Sequence, residues 1–152
     1  MRAVLQRATA GRVLVDGAVV GELAPAPGFV ILLGVGPQDG EDETRLLADK
    51  VAGLRVFADD DGKMNRSLVD IGGGALVISQ FTLYADTRRG RRPGFTGAAA
   101  PAQAEPLVER FMQELRAHGV ATQGGRFGAD MQVELTNSGP VTILFDTDEW
   151  AR

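Results

Sequence analysis

Hydrophobic and polar residues alternate through the first part of the chain, as they do in half-buried strands. The alternation predicts strands over residues 3–8 and 12–21, and Asp16-Gly17 inside the second run is a pair favoured in two-residue hairpins. Residues 28–35 are instead continuously apolar, and the run over 75–81 is apolar up to Ile78, which is typical of strands buried on both faces. Shorter runs at 54–58, 131–136 and 141–145 predict three more strands.

Two segments repeat apolar residues with the period of a helix. Acidic residues 39–43 precede the first, which places Leu46, Leu47 and Val51 on one face. The second carries its apolar face over residues 104–115 and ends at His118-Gly119, a typical helix C-terminus. Residues 86–103, rich in Arg, Gly, Pro and Ala, predict a long surface loop.

Strands outnumber helices, and the two helices lie far apart in the chain. We therefore predict a single domain, residues 1–152, of the mixed α+β class. The expected architecture has three layers, β/β/α, with sheet packed on sheet and the two main helices on one outer face.

Composition removes several kinds of chemistry. The chain has no cysteine and one histidine, His118, so a disulfide framework, a thiolate nucleophile, a Cys/His zinc site and a Ser-His-Asp catalyst are not expected. We expect neither a metal nor a cofactor. No apolar run could span a bilayer and no signal peptide is apparent, so we expect a cytoplasmic protein without a membrane partner.

Charge bears on nucleic-acid binding in two ways. The net charge of −4 argues against a strongly basic nucleic-acid binder, and DNA is not an expected partner. Residues 88–92 nevertheless hold four arginines, which form either a phosphate-contacting patch or a solvated loop. These residues are Arg88, Arg89, Arg91 and Arg92.

A polar step, Ser79-Gln80-Phe81-Thr82, ends the second buried strand. Ser79 and Thr82 could donate hydrogen bonds, act as nucleophiles, expose backbone N–H groups to an ester carbonyl, or make ordinary sheet contacts. A hydroxyl nucleophile needs a base, and no motif in the chain supplies one. Any chemistry should therefore rely on positioning and oxyanion stabilisation, which suits an activated substrate such as an ester.

The segment from Asn137 to Thr142 places Gly139-Pro140 between the last two predicted strands. A bond before proline reaches the cis form at little cost, and glycine lets backbone carbonyls approach a ligand closely. The segment could therefore recognise a substrate with main-chain atoms. The simpler interpretation is a tight turn that closes a hairpin.

These two motifs, in this order and spacing, resemble those of the D-aminoacyl-tRNA deacylases over residues 1–145. Four connecting stretches support the resemblance: residues 5–7, 62–65, 92–95 and 125–133. The departures are small: Pro106 lies inside the second predicted helix, and the tail from 146 to 152 runs past the matched region.

The resemblance implies a hydrolase that cleaves the ester between a D-amino acid, or glycine, and the 3′-terminal adenosine of tRNA, a proofreading step in translation. It also implies a homodimer with its active site at the subunit interface. The Gly139-Pro140 bond would be cis and would enter the partner's pocket. There its carbonyls would hold the substrate amino group and exclude an L side chain.

The same resemblance assigns roles to single residues. Ser79 and Gln80 would line the catalytic pocket, and backbone N–H groups near Phe81 would polarise the ester carbonyl. Thr82 matches a position considered to be the nucleophile. Because no base is available, the alternative is that the ribose 2′-hydroxyl of the tRNA assists the attack of water.

By the same resemblance, further residues would bind the tRNA or hold the Gly-Pro segment in place. Phe127 and Met131 would enclose the terminal adenine. Arg7 would brace the Gly-Pro segment through its carbonyls, with Asn137 and Thr142 supporting the motif. The arginine loop would contact the acceptor stem. Two alternatives remain open: a non-catalytic tRNA-binding module, and a small-molecule hydrolase or ligand-binding dimer, whose mark would be a base near the Ser79 strand end.

Overall fold

A computed structural model describes residues 1–150, and the last two residues of the tail lie outside the described part. Two 3-10 turns, Phe81–Tyr84 and Thr147–Glu149, accompany the strands and helices. In chain order, these are β1 Arg2–Val15, β2 Ala18–Glu22, β3 Gly28–Gly34, α1 Glu41–Gly53, β4 Phe57–Ala58, β5 Met64–Arg66, α2 Leu68–Ile71, β6 Gly74–Ser79, α3 Pro101–Ala117, β7 Thr122–Gly124 and β8 Gln132–Asp146.

Six strands form one sheet in the order β2-β1-β3-β6-β7, with β8 paired to β1. The β3–β6 and β6–β7 pairs are parallel and the others are antiparallel. The sheet curls until its ends meet, since the Glu22 N–H donates to Gln123 Oε1 at 2.9 Å. A small β4–β5 hairpin lies apart from this sheet.

Side chains from the two faces of the sheet pack into two separate hydrophobic cores. Phe29, Ile31 and Leu33 of β3 pack with buried residues of α1 and α3. Val30 of β3 belongs instead to a smaller cluster enclosed by the curled sheet, together with Leu76 and other strand residues. Both faces of β3 are therefore buried, as the continuous apolar run predicted.

The predicted α+β class is confirmed. The two main helices pack on each other over one core. The two sheet layers are parts of one curled sheet, because β1 is long enough to pair with β3 at one end and β2 at the other. α3 ends at His118 and Gly119, whose φ of +85° is the left-handed conformation that glycine favours.

Several predicted boundaries were wrong. Residues 3–8 and 12–15 are one strand, β1, and the loop predicted for 86–103 is shorter because α3 begins at Pro101, inside that range. Of the strand predicted over 54–58, only Phe57–Ala58 is present. The hairpin at Gly139-Pro140 is absent: both flanking runs belong to β8 and pair antiparallel with the same strand, β1.

Close backbone contact between β3 and β6 yields a stability prediction. A Cβ at Gly28 would lie 2.0 Å from the Gly74 carbonyl oxygen, so Gly28→Ala should force the paired strands apart and lower the free energy of unfolding by about 2 kcal/mol. The matched control is Gly53→Ala at the end of α1, where a Cβ meets no atom within 4 Å. The control should be neutral or slightly stabilising in urea denaturation. Equal stability of the two variants would contradict the contact.

Candidate active site

The end of β6 leaves polar groups unengaged. The Gln80 N–H donates to the Leu33 carbonyl at 2.8 Å, and the chain then enters the 3-10 turn that begins at Phe81. Within residues 1–150, no protein acceptor pairs with the amide N–H of Phe81 or Thr82, and the Ser79 hydroxyl has no hydrogen-bond partner. These donors are therefore available to a bound molecule.

An apolar cavity of about 330 Å³ lies beside this strand end. A second cavity of about 510 Å³ shares Ser79, Val108 and Phe127 with the first, so the two form one cleft. The Phe81 ring, 59% exposed, meets the Phe95 ring edge-on at 5.1 Å. The wall of the first cavity includes Leu33, Ser79, Gln80, Phe81, Phe95 and Phe127.

Neither Gln80 nor the described lining of the first cavity offers the Thr82 hydroxyl a base, although Glu105 and Glu109 line the second cavity. Gln80 Nε2 hydrogen-bonds Thr82 Oγ1, and a carboxamide does not take up a proton near neutral pH. The described lining of the first cavity contains no titratable side chain. His118 lies at the end of α3, where its Nε2 is 3.8 Å from Asp49 Oδ1.

The 3-10 turn is held in place by contacts of Leu83 and Tyr84 with Arg2 and Asp39. Arg2 Nη1 donates to the Leu83 carbonyl at 3.0 Å, and the guanidinium carbon lies 4.4 Å from the centre of the Tyr84 ring. The Tyr84 hydroxyl lies 3.4 Å from Asp39 Oδ2. Burial, followed by the Asp39 charge, raises the pKa of Tyr84 well above its usual value. The phenol therefore stays neutral and serves as a fixed hydrogen-bonding group.

Gly139 and Pro140 lie on a wide bulge in β8. Asn137 pairs with Ala8 and Thr142 pairs with Gln6, so residues 138–141 lie opposite Arg7 alone. The Gly139-Pro140 bond is cis, and both residues are exposed. Gly139 has a φ of +135°, a conformation that L side chains rarely adopt.

Side chains brace this bulge from within and from β1. Arg7 Nε donates to the Ser138 carbonyl at 2.9 Å, and its Nη1 donates to the Val56 carbonyl at 2.7 Å. Asn137 bonds both backbone groups of Val141. The sequence motifs did not single out Gln6, whose Oε1 accepts hydrogen bonds from Asn137 and Thr142. Cross-strand register is what reveals its position.

The bulge and the cleft lie apart within one chain. Arg7 pairs with Phe29 on β3, whereas Leu33, which lines the cleft, pairs with Ala3. These positions are four residues apart, or about 13 Å along the strand direction. The structure therefore gathers Ser79, Gln80, Phe81 and Phe127 in one place, and Gly139 and Pro140 in another.

The two residues expected around an adenine have different surroundings. Phe127 lines both cavities and packs partly against the main core. Met131 instead packs against the cluster inside the curled sheet and is absent from the described lining of both cavities.

The arginine loop is closed by paired backbone hydrogen bonds between Asp86 and Gly94. Arg88 forms a two-pronged ion pair with Asp86, with 2.9 Å and 2.8 Å bonds. This guanidinium holds the pKa of Asp86 well below its usual range. The other three, Arg89, Arg91 and Arg92, are exposed, and their side chains make no hydrogen bond or ion pair within the described chain.

Two features are absent from residues 1–150. No group of three or more His, Cys, Asp or Glu side chains is placed to hold a metal ion. No helix in the same range is long and apolar enough to cross a membrane.

Comparison with known proteins identifies the family. A family model described as D-Tyr-tRNA(Tyr) deacylase matches residues 4–146. The chain belongs to this family. The predicted resemblance is thus confirmed, and so is the prediction that the protein is a deacylase and hence a hydrolase.

Curated relatives of this deacylase chain match almost end to end. A "D-aminoacyl-tRNA deacylase" from Roseiflexus castenholzii is 61% identical, covering 97% of this chain and 92% of the relative. One with the same name from Deinococcus radiodurans is 58% identical, covering 96% and 99%.

Two solved structures share the fold. One, described as "c-Myc DNA Unwinding Element Binding Protein", has a TM-score of 0.89 at 36% identity and covers 97% of this chain and 99% of its own. Another, a "probable eukaryotic D-amino acid tRNA deacylase", has a TM-score of 0.81 at 18% identity, covering 95% and 97%. The second likeness concerns the fold alone.

Proposed function

We propose that this protein hydrolyses the ester of D-aminoacyl-tRNA, and of glycyl-tRNA, releasing the amino acid and free tRNA. The observation that carries the proposal is the strand end at Ser79–Thr82, where unengaged N–H donors adjoin an apolar cavity whose described lining contains no base. An aminoacyl ester is already activated, so a site that positions and polarises it can suffice.

In the proposed reaction, the amide N–H groups of Phe81 and Thr82 donate to the ester carbonyl oxygen as it gains negative charge. Such preorganised donors are each worth roughly a hundredfold or more in rate. The water oxygen bonds to the carbonyl carbon, the bond to the ribose 3′-oxygen breaks, and that oxygen takes the proton that water loses. The neighbouring ribose 2′-hydroxyl assists this transfer, because Thr82 lacks a base partner.

Selectivity comes from Gly139 and Pro140 of a second subunit. Their carbonyls accept hydrogen bonds from the substrate α-ammonium group, and the crowded backbone excludes an L side chain. Two observations support a homodimer: the bulge is far from the cleft in its own chain, and β8 leaves Leu144 74% exposed. Glycine passes the filter because it has no side chain.

Phe127 stacks on the terminal adenine, and Met131 closes the other side of the base when the tRNA binds. The arginine loop then contacts acceptor-stem phosphates. Its position supports this role, because Gly94 closes the loop and the next residue, Phe95, lines the cleft. Aminoacyl-tRNA is used in the cytoplasm, and we expect the protein to act there.

The rival candidate is a non-catalytic nucleic-acid-binding module. Three exposed arginines without a hydrogen bond or ion pair in the described chain favour it, and one related solved structure is named for binding a DNA element. The rival predicts binding without turnover, so one assay separates the two.

The decisive measurement compares three substrates: D-Tyr-tRNA, L-Tyr-tRNA and Gly-tRNA. We expect rapid loss of the ester from the D and glycyl forms and little from the L form, since an L side chain clashes with the Gly139-Pro140 backbone. Pro140→Ala should relax this discrimination. Hydrolysis of the L form at the same rate as the D form would contradict the proposed chiral filter. Binding of all three without hydrolysis would favour the rival.

The role of the Thr82 hydroxyl is tested by Thr82→Ala. This variant should keep most of its kcat with D-Tyr-tRNA, because the backbone amide remains and the hydroxyl has no base. D-Tyr-tRNA ending in 2′-deoxyadenosine supplies the complementary control, and its hydrolysis should be slow. A near-total loss of activity in folded Thr82→Ala would make Thr82 the nucleophile.

Replacing Arg89, Arg91 and Arg92 by glutamine tests the phosphate contacts. The triple variant should raise KM several-fold in low salt and make KM less dependent on salt concentration, because fewer counterions are released on binding. Its kcat should be unchanged. Arg12→Gln is the matched control, since Arg12 is an exposed arginine on β1 paired with Glu134. A salt dependence equal to that of the unchanged protein would exclude the loop from tRNA binding.

A further inference from the structure

We propose that Gln6 is a positioning residue that holds the Gly139-Pro140 bulge in shape and thereby sets the discrimination between D and L substrates. The inference rests on the proposed function of the bulge as the chiral filter. Gln6 itself lies on β1, at the base of the bulge, and belongs to neither functional motif.

The geometry places Gln6 between the two ends of the bulge. Asn137 precedes the bulge and donates from Nδ2 to Gln6 Oε1 at 2.5 Å. Thr142 follows the bulge and donates from Oγ1 to the same oxygen at 2.7 Å. The side-chain oxygen of Gln6 on β1 therefore links Asn137 and Thr142, the residues at the two ends of the bulge.

The direction of these hydrogen bonds follows from the backbone. The Val141 N–H can only donate, so the Asn137 oxygen must face it, as it does at 2.7 Å. The Asn137 NH2 group then points toward Gln6, which must present its oxygen to accept. Gln6 thus fixes the carboxamide that closes the neck of the bulge.

The neck matters because the filter consists of main-chain atoms. Arg7 holds the Ser138 carbonyl within the bulge, but it contacts neither Asn137 nor Thr142 through a hydrogen bond. Without the Gln6 acceptor, backbone pairing still holds both ends of the bulge on β1, but the Asn137 and Thr142 side chains could turn and residues 138–141 could shift. Misplacing a positioning group by about 1 Å can change a rate about a hundredfold, so a small shift of these carbonyls should weaken the discrimination.

The test compares Gln6→Met with Gln6→Glu. Methionine has nearly the same shape but no comparable acceptor, so the ratio of D to L kcat/KM should fall about tenfold. Glutamate keeps an acceptor for both donors and should retain the ratio. Arg12→Met is the matched control: it removes a contact between the same two strands, the Arg12–Glu134 ion pair, and should leave the ratio unchanged.

A readout independent of activity is the hydrogen-exchange rate of the Val141 amide, measured by NMR. Gln6→Met should raise it about tenfold, because the Asn137 carboxamide that protects it loses its bond to β1 and keeps only its bonds to Val141 and Thr142. Gln6→Glu and Arg12→Met should not. If the unchanged protein does not discriminate D from L, the proposed function fails, and the Val141 exchange still decides whether Gln6 holds the neck.

The single variant Thr142→Val covers the case in which Gln6→Met fails to fold. Thr142→Val alone removes one donor to Gln6 and should lower the D to L ratio and raise Val141 exchange in the same directions. If both variants fold, their effects should be less than additive. Unchanged selectivity and unchanged Val141 exchange in folded Gln6→Met, or fully additive effects, would overturn the proposal.

Discussion

The pairing of β8 with β1 over nearly its whole length is the constraint on which the candidate site depends. Both ends of β8 are held in register with β1, yet β8 has residues 138–141 where β1 has only Arg7. The extra residues must leave the ladder. The wide bulge therefore follows from register. Arg7 and Asn137 bond the backbone groups that the ladder leaves unpaired there, and Gln6 in turn holds the Asn137 side chain.

A second consequence concerns the kind of chemistry the chain can perform. The cleft at the end of β6 offers amide donors and apolar walls, and the described lining of its first cavity holds no acid or base. The 3-10 turn that carries the donors is anchored by Arg2 and Tyr84 rather than by the cleft. In the mechanism we propose, preorganised main-chain groups take the place that side-chain catalysts occupy in other hydrolases.

Local pattern foretold much of the fold. The Asp16-Gly17 turn, the double-sided burial of β3, the two main helices and the His118-Gly119 helix end each depend on residues close in sequence. The predictions were wrong where distant pairing decided the outcome. Gly139-Pro140 has the composition of a turn. The residues before it and the residues after it both pair with β1, however, so the chain continues in one direction.

Residue types alone excluded Cys and His chemistry and marked Ser79–Thr82 and Asn137–Thr142 as the segments of interest, because these properties need no neighbours. The tertiary structure decided which of these residues lie close together. Phe127 lines the cleft while Met131 packs inside the curled sheet, and Gln6 lies opposite Thr142. Only the register of strands far apart in the chain brings residue 6 within hydrogen-bonding distance of residues 137 and 142.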